Sequence, residues 1–359
     1  MMWKNVIKNL SQSHGYEGGI SASQAARRYN VNIKNFVNLQ SNENLFVSKS
    51  YLKSILKNAV LATDPRLYPK DELGKLEEAI ASYVGIKTEN IVLGSGADQL
   101  IDLLISLLGV SGSIAYSIPT YSYYGISASI RGIKVIEIPY KNDFSLNINS
   151  LTDKNPDIIF ICAPNNPTGH YTSTEQLKDV LERSNGLVVV DETYSEFLGT
   201  SFIQLIDKYD NLLILRTLSK SFGLAGLRVG YLVSNAELST NLKKVQLPFV
   251  VSSLAAEVAI TLLQKIPYFK SKWMEAQITM KKFLDEVDPQ VERTPTSTYF
   301  VTISTCRSND EVFLELLKYG YITRIIKPFM NYKNPIRLSV APWKMISNLP
   351  SLINELNGC

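Results

Sequence analysis

Short runs of branched aliphatic residues without polar alternation constrain this chain most. Asp157-Ile-Ile-Phe-Ile-Cys162, Leu187-Val-Val-Val-Asp191 and Leu212-Leu-Ile-Leu-Arg216 place apolar side chains at successive positions. Side chains of a strand alternate between its two faces, so strands of this kind are buried on both. That is the state of a parallel sheet covered by helices on each side. Ile91-Val-Leu-Gly94, Ser113-Ile-Ala-Tyr-Ser117, Lys134-Val-Ile-Glu-Ile138 and the apolar run Leu227 to Val233 extend the set. Helical patterns lie between them at Ala97 to Leu108, Tyr121 to Ile130 and Ser173 to Arg183. The alternation predicts an α/β domain.

After Pro248 the pattern changes. Ser252 to Val287 reads as long helices with a break near Ile266-Pro267. Strand candidates follow at Tyr299 to Ile303, Tyr321 to Ile325 and Ile336 to Val340, with helical patterns at Asn309 to Leu317 and Trp343 to Leu356. The first 40 residues hold no obvious large element and are expected to wrap around another lobe or a partner chain. The expected organisation is an N-terminal arm (1–44) joining a small domain, a large domain (45–250) and a small C-terminal α+β domain (251–359). A chain of 359 residues with 45% hydrophobic content can bury two cores.

Charge excludes some functions. The net charge is +4 with no long basic block, so neither a nucleic-acid stripe nor a nucleic-acid partner is expected. Cys162, Cys306 and Cys359 form neither a disulfide framework nor a metal spacing, which fits a cytoplasmic protein. With only His14 and His170, a histidine-built metal site is not expected. Neither a signal peptide nor an apolar run of membrane-spanning length is read, so no membrane association is expected.

Ligands of open α/β sheets bind beyond the carboxyl ends of the strands, and the suggestive residues cluster there. Gly94-Ser-Gly-Ala-Asp98 follows a strand and opens a helix, whose free amides suit a phosphate; an ordinary tight turn would read the same. Pro119-Thr-Tyr-Ser-Tyr-Tyr124 offers an aromatic ring to stack on a planar ligand, although core packing accounts equally well for any one tyrosine. Ala163-Pro-Asn-Asn-Pro-Thr-Gly169 puts two asparagines in a rigid turn, more than a turn requires. Asp191 ends a run of three valines, with Tyr194 three residues on, and a buried carboxylate there needs a partner: a protonated ring nitrogen, or equally the start of a helix or a local arginine. Thr217 to Tyr231 sets Lys220 among small residues with Arg228 eight positions later. A lysine amine can condense with an aldehyde, and an arginine can hold its phosphate. Together the five segments supply a phosphate cradle, a ring stacker, a donor to a phenolic oxygen, a partner for a pyridinium and an imine-forming amine. Pyridoxal 5′-phosphate requires all five.

These segments give the chain a family resemblance over nearly its whole length. It resembles the fold-type I, class I/II pyridoxal-phosphate aminotransferases, and within them the histidinol-phosphate aminotransferases. The likeness runs from Leu39-Gln-Ser-Asn-Glu-Asn44 and Arg66-Leu-Tyr-Pro69 through Gly94-Ser-Gly-Ala-Asp-Gln99, Pro119-Thr-Tyr121 and Pro164-Asn-Asn-Pro-Thr-Gly169. It continues in Val190-Asp-Glu-Thr-Tyr194, Arg216 to Tyr231 and Ile336-Arg-Leu-Ser-Val340. The resemblance implies a large, mainly parallel α/β/α domain with a small α+β domain. It makes Lys220 the amine that holds the cofactor and moves the substrate proton, with Asp191 on the pyridine nitrogen. Tyr194 and Asn166 would bond the phenolic oxygen and Tyr121 would stack on the ring. The turn at Gly96, the amides of Ala97 and Asp98, Ser219 and Arg228 would hold the phosphate. Arg337 would bind a substrate carboxylate and Arg324 a substrate phosphate, with Tyr16 and Asn44 nearby. Tyr68 would reach the neighbouring subunit's cofactor, implying a homodimer with shared sites. The reaction implied is ping-pong transamination from histidinol phosphate to 2-oxoglutarate, in histidine biosynthesis.

The chain departs from the family where Leu45 replaces the usual proline after Asn-Glu-Asn, and where Ala341-Pro-Trp343 follows the arginine strand. His14-Gly-Tyr-Glu-Gly-Gly19 is similar to the start of threonine-phosphate decarboxylases, which share the fold. Decarboxylation of phosphothreonine in corrinoid synthesis and transamination of aromatic amino acids are therefore the rival activities. A non-enzymatic protein of this fold is a third reading, opposed by the full set of cofactor residues.

Overall fold

The structure is a computed structural model that describes residues 15–16, 18–31, 36–109 and 111–358. Strand β1 (Val37–Asn38) stands apart from the main sheet. The next seven form it: β2 (Ile91–Gly94), β3 (Ser113–Ile118), β4 (Lys134–Pro139), β5 (Ile158–Cys162), β6 (Leu187–Asp191), β7 (Leu212–Thr217) and β8 (Gly230–Val233). Their order is β2-β8-β7-β6-β5-β3-β4. β3 to β7 pair in parallel, and β8 is antiparallel to both β2 and β7. Every strand but β8 therefore ends on one edge.

Both faces of the sheet are covered, for the reason the apolar runs predict. Along β6, Val188 and Val190 join one buried cluster while Val189 joins another. Along β5, Ile159 and Ile161 face the first cluster, and Ile158 and Phe160 the second. Helices Lys70–Val84, Thr174–Arg183 and Ser253–Leu263 contribute to the first; Gly96–Ser106, Tyr123–Ile130 and Ala236–Val245 to the second.

The C-terminal part adds β9 (Glu292–Arg293), β10 (Phe300–Ser304), β11 (Tyr321–Ile322), β12 (Arg324–Ile325) and β13 (Pro335–Ser339). An antiparallel sheet runs β12-β13-β10-β9, while β11 pairs in parallel with β1. That pairing ties the N-terminal segment to the C-terminal part, and Ser339 N also donates to Leu39 O at 3.0 Å. Among its described residues the segment forms the helix Ala22–Tyr29, opened by a capping box from Ser21 and Gln24.

Four expectations are corrected. The strand expected over Tyr321–Ile325 is two strands in two sheets, because β11 turns to β1 and β12 to β13. The strand expected from Leu227 begins only at Gly230, since Ala225–Leu227 is a 3-10 turn and Arg228 is left-handed, φ 55°. The helix over Trp343 to Leu356 is two, Trp343–Ile346 and Leu349–Asn357. Cys306 is disulfide-bonded. Spacing alone does not show which thiols a fold brings together. Among the described residues no helix is long and apolar enough to cross a membrane, and no group of three or more His, Cys, Asp or Glu could hold a metal.

Beside the site lies a buried ion cluster. Arg216 on β7 donates to Glu192 Oε2 through Nε (2.9 Å) and Nη2 (2.7 Å), with Glu196 Oε1 3.5 Å from Nη1. Glu192 also accepts from Phe202 N and Ser201 Oγ. Removing one partner strands a charge in the core. Glu192→Ala is expected to cost about 3–5 kcal/mol of unfolding free energy in a urea titration.

Candidate active site

The strand ends of the main sheet and the edge of β12 and β13 enclose a cavity of about 1820 Å³. Lys220, Asp191, Tyr194, Asn166, Arg337 and Arg324 line it. Ala97, Asp98, Tyr121, Ser219, Arg228 and Tyr16 line it too.

Asp191 is buried where β6 leaves the sheet. Its carboxylate accepts from Thr193 N (3.0 Å), Thr193 Oγ1 (2.5 Å) and Tyr124 Oη (2.6 Å). Burial pushes its pKa up, and these donors oppose the rise. The sequence marks Tyr124 only as one aromatic of the Pro119–Tyr124 segment. It is fully buried and stacked on Phe160, with centroids 4.7 Å apart.

Lys220 follows β7 in a single turn, Leu218–Ser221, capped by Thr217 Oγ1 accepting from Ser219 N at 3.1 Å. Its Nζ donates to Ser41 O at 2.7 Å. Burial, reinforced by the Arg337 guanidinium, lowers its pKa to about 8. A group this close to neutrality is a nucleophilic amine in the physiological range.

Arg228 and Asp98 meet at 2.7 Å, and Tyr121 Oη donates to the other Asp98 oxygen at 2.9 Å. Gly96 (φ +75°) lies behind them; a Cβ there would stand 2.5 Å from Arg228 Nη2. Only glycine combines that backbone with that approach. The left-handed Arg228 is one of few non-glycine residues so placed, and it turns its guanidinium toward the start of the helix at Gly96.

Arg324 and Arg337 are directly opposed in register across β12 and β13. Arg337 is buried and donates to Asn166 Oδ1 and to the Gln40 carbonyl. Burial lowers its pKa. Tyr194, also buried, accepts from Asn42 Nδ2 at 3.1 Å. Tyr16 packs edge-on to Tyr121 and Tyr123, 6.0 and 5.9 Å between centroids.

Three named residues are not part of this wall. Asn44, expected near substrate, donates to Ser221 O at 3.0 Å and accepts from Phe46 N at 3.1 Å, bracing the lysine loop from behind. Tyr68 is 72% exposed and stacked on Phe249, outside this chain's cavity. Gly96 supports the wall without lining it. Of the two asparagines in the rigid turn, Asn165 staples loops by accepting from Thr120 Oγ1 and donating to Pro119 O. His14 and Glu17 of the glycine-rich start lie outside the described residues.

A sequence profile of the family Aminotransferase class I and II matches residues 34–350. Histidinol-phosphate aminotransferase 1 of Bacillus cereus is 32% identical over 98% of this chain and 96% of its own. The structure of histidinol-phosphate aminotransferase from Sinorhizobium meliloti in complex with pyridoxal-5′-phosphate superimposes with TM-score 0.83 at 22% identity, covering 97% of this chain and 96% of that one. L-threonine-O-3-phosphate decarboxylase from Porphyromonas gingivalis superimposes with TM-score 0.79 at 20% identity, over 89% and 98% of the two chains. The fold is thus shared across reaction types.

With this fold and the matched length, the chain belongs to the class I and II aminotransferases. It is a pyridoxal-phosphate-dependent transaminase with the fold-type I architecture.

The lowered pKa of Lys220 has a measurable consequence. In the cofactor-free protein, adduct formation with a simple aldehyde at Lys220 should rise with pH through about 8, whereas an ordinary lysine responds at about 10.4. Arg337→Met removes a neighbouring positive charge, makes the protonated amine less costly and should move the midpoint up. Borohydride trapping and peptide mass spectrometry read both.

Proposed function

We propose that the protein transfers the amino group of histidinol phosphate to 2-oxoglutarate by a ping-pong reaction, serving histidine biosynthesis in the cytoplasm. The observation that carries the substrate reading is the pair Arg324 and Arg337, opposed in register on the wall that Lys220 also lines. Two arginines at facing positions of neighbouring strands concentrate positive charge on that wall, which suits a phosphorylated amine and an oxo diacid in turn. The named function of the Bacillus cereus relative supports the same reading.

The residues fit pyridoxal phosphate on physical grounds. The amine's pKa is lowered to about 8, the Asp191 carboxylate is buried with three donors, and Gly96 lets the Arg228 guanidinium lie against the start of the helix. In this reading Lys220 would hold the cofactor through its aldehyde carbon and, once displaced, would move the proton at the amine-bearing substrate carbon. Asp191 would pair with the ring nitrogen and keep it protonated, and Tyr194 and Asn166 would hold the phenolic oxygen. Tyr121 would stack on the ring. Ser219, Arg228 and the amides of Ala97 and Asp98 would bind the phosphate. The cofactor supplies an electron sink for the carbon that loses its proton. Lys220 can act as the base because it is neutral once displaced, and burial favours that state.

In the same reading the chain divides into an arm 1–44, a large domain 45–250 and a small domain 251–359, and residues of all three line the cavity. A homodimer completes it. Leu61, Leu67, Tyr68, Leu247 and Phe249 are exposed apolar side chains, and their burial against a second copy would carry Tyr68 toward its partner's phosphate site.

The first test is the absorption spectrum of the cofactor-loaded protein before and after adding histidinol phosphate without an acceptor. Loss of the aldehyde-form band and growth of the pyridoxamine-phosphate band is the expected result. An unmoved band rejects the substrate. Carbon dioxide release from phosphothreonine would establish the decarboxylase instead, and a response to tyrosine or phenylalanine alone the aromatic aminotransferase. Arg324→Ala should raise KM for histidinol phosphate about 10- to 100-fold, the loss of one charge-assisted contact, with a far smaller effect on tyrosine. A light-scattering mass of one chain would overturn the shared-site dimer.

A further inference from the structure

Gln40 has no role in the reading above, yet it touches both walls of the cavity. It is buried (4% exposed) and lines the space. Its backbone carbonyl accepts a hydrogen bond from Arg337. Its side chain faces the N-terminal segment: Oε1 accepts from Ile20 N at 3.0 Å, and Nε2 donates to Ile20 O at 2.5 Å. A carboxamide carries one acceptor oxygen and one donor nitrogen, so it matches the N–H and C=O of a single residue as a neighbouring strand would.

The fit is close enough to restrict the neighbouring residue. Gly19 has φ +85°, and a Cβ there would stand 2.2 Å from Gln40 Oε1 and 3.4 Å from Arg324 Nη1. Glycine lets the segment lie against both side chains. Gly15, Tyr16 and Gly18, just before this junction, line the cavity, and Tyr16 packs on Tyr121. Just after it, Ser21 caps the helix Ala22–Tyr29. Ile20 is therefore the anchored point between a capped helix and a segment that walls the site.

We propose that Gln40 is a positioning residue that fixes Gly18–Ile20 across the cavity. It thereby holds Tyr16 against Tyr121 and the segment against Arg324 and Arg337. It sets affinity for the anionic substrate without touching the reacting atoms. The proposal rests on Arg324 and Arg337 being the substrate-anion site. A side chain that acts only in closing this wall affects substrate capture more than turnover, giving a KM effect with little kcat effect.

The test uses the cofactor-loaded enzyme. Hydrogen exchange is followed in the peptide containing Ile20, whose amide the Gln40 carboxamide protects. Gln40→Met keeps the length and removes both hydrogen bonds. It should speed exchange at Ile20 and raise KM for histidinol phosphate about 10-fold, with kcat within about two-fold and cofactor affinity unchanged. Gln40→Glu keeps only the acceptor and should fall between wild type and Met in exchange. If Gln40→Met does not fold, Gly19→Ala displaces the segment from its other side and should give the same pair of effects. An Ile20 amide unprotected in the wild type would overturn the proposal. So would a variant that loses this protection while KM stays unchanged. Should histidinol phosphate not react at all, the substrate reading fails by itself, and Ile20 exchange still decides whether Gln40 holds the segment.

Discussion

A carboxylate at the end of a strand buried on both faces has no water to solvate it, and the active-site half of this molecule is arranged around that fact. Asp191 ends three valines, so it needs donors or a cation. Thr193 and Tyr124 provide three hydrogen bonds, and Tyr124 is fixed by stacking on Phe160 in the core. The carboxylate that would serve the cofactor is thus set by core packing one layer below it. The same sheet, ending all strands but β8 on one edge, brings Asp191, Lys220 and the start of the helix at Gly96 to one side.

Charge balance explains the rest of the cavity. Arg131, Lys220, Arg228, Arg324, Lys327 and Arg337 line a space that also holds Asp98, Glu137 and Asp191. Asp98 is committed to Arg228 and Tyr121. The Arg337 guanidinium helps burial lower the Lys220 pKa, so one cation on the cavity wall favours a neutral amine. Arg216 shows the contrasting use of an arginine nearby: paired with Glu192 and Glu196 in the core, it is structural.

Legibility followed the strength of local patterns. The strands β5, β6 and β7 were readable because apolar residues at every position admit few other structures. The helices at Thr174–Arg183 and Ile266–Glu286 were readable from spacing, the second with its proline at the start. The stretch Tyr321–Ile325 misled because five residues of strand character cannot reveal that their two halves pair with different sheets. A motif places Asn44 near a site without saying which way its side chain turns, and only the fold directs it to Ser221 and Phe46.

The sequence by itself determined the sheet, the strand-end loops and the identities of the chemical groups, because these depend on local periodicity and on turn residues. Only the tertiary structure decided that Arg324 stands opposite Arg337, that Tyr124 bonds Asp191 across 67 positions of chain, and that Gln40 grips Ile20. Those contacts join segments far apart in the chain, and their geometry depends on strand register and on packing between elements, neither of which any local window of residues encodes.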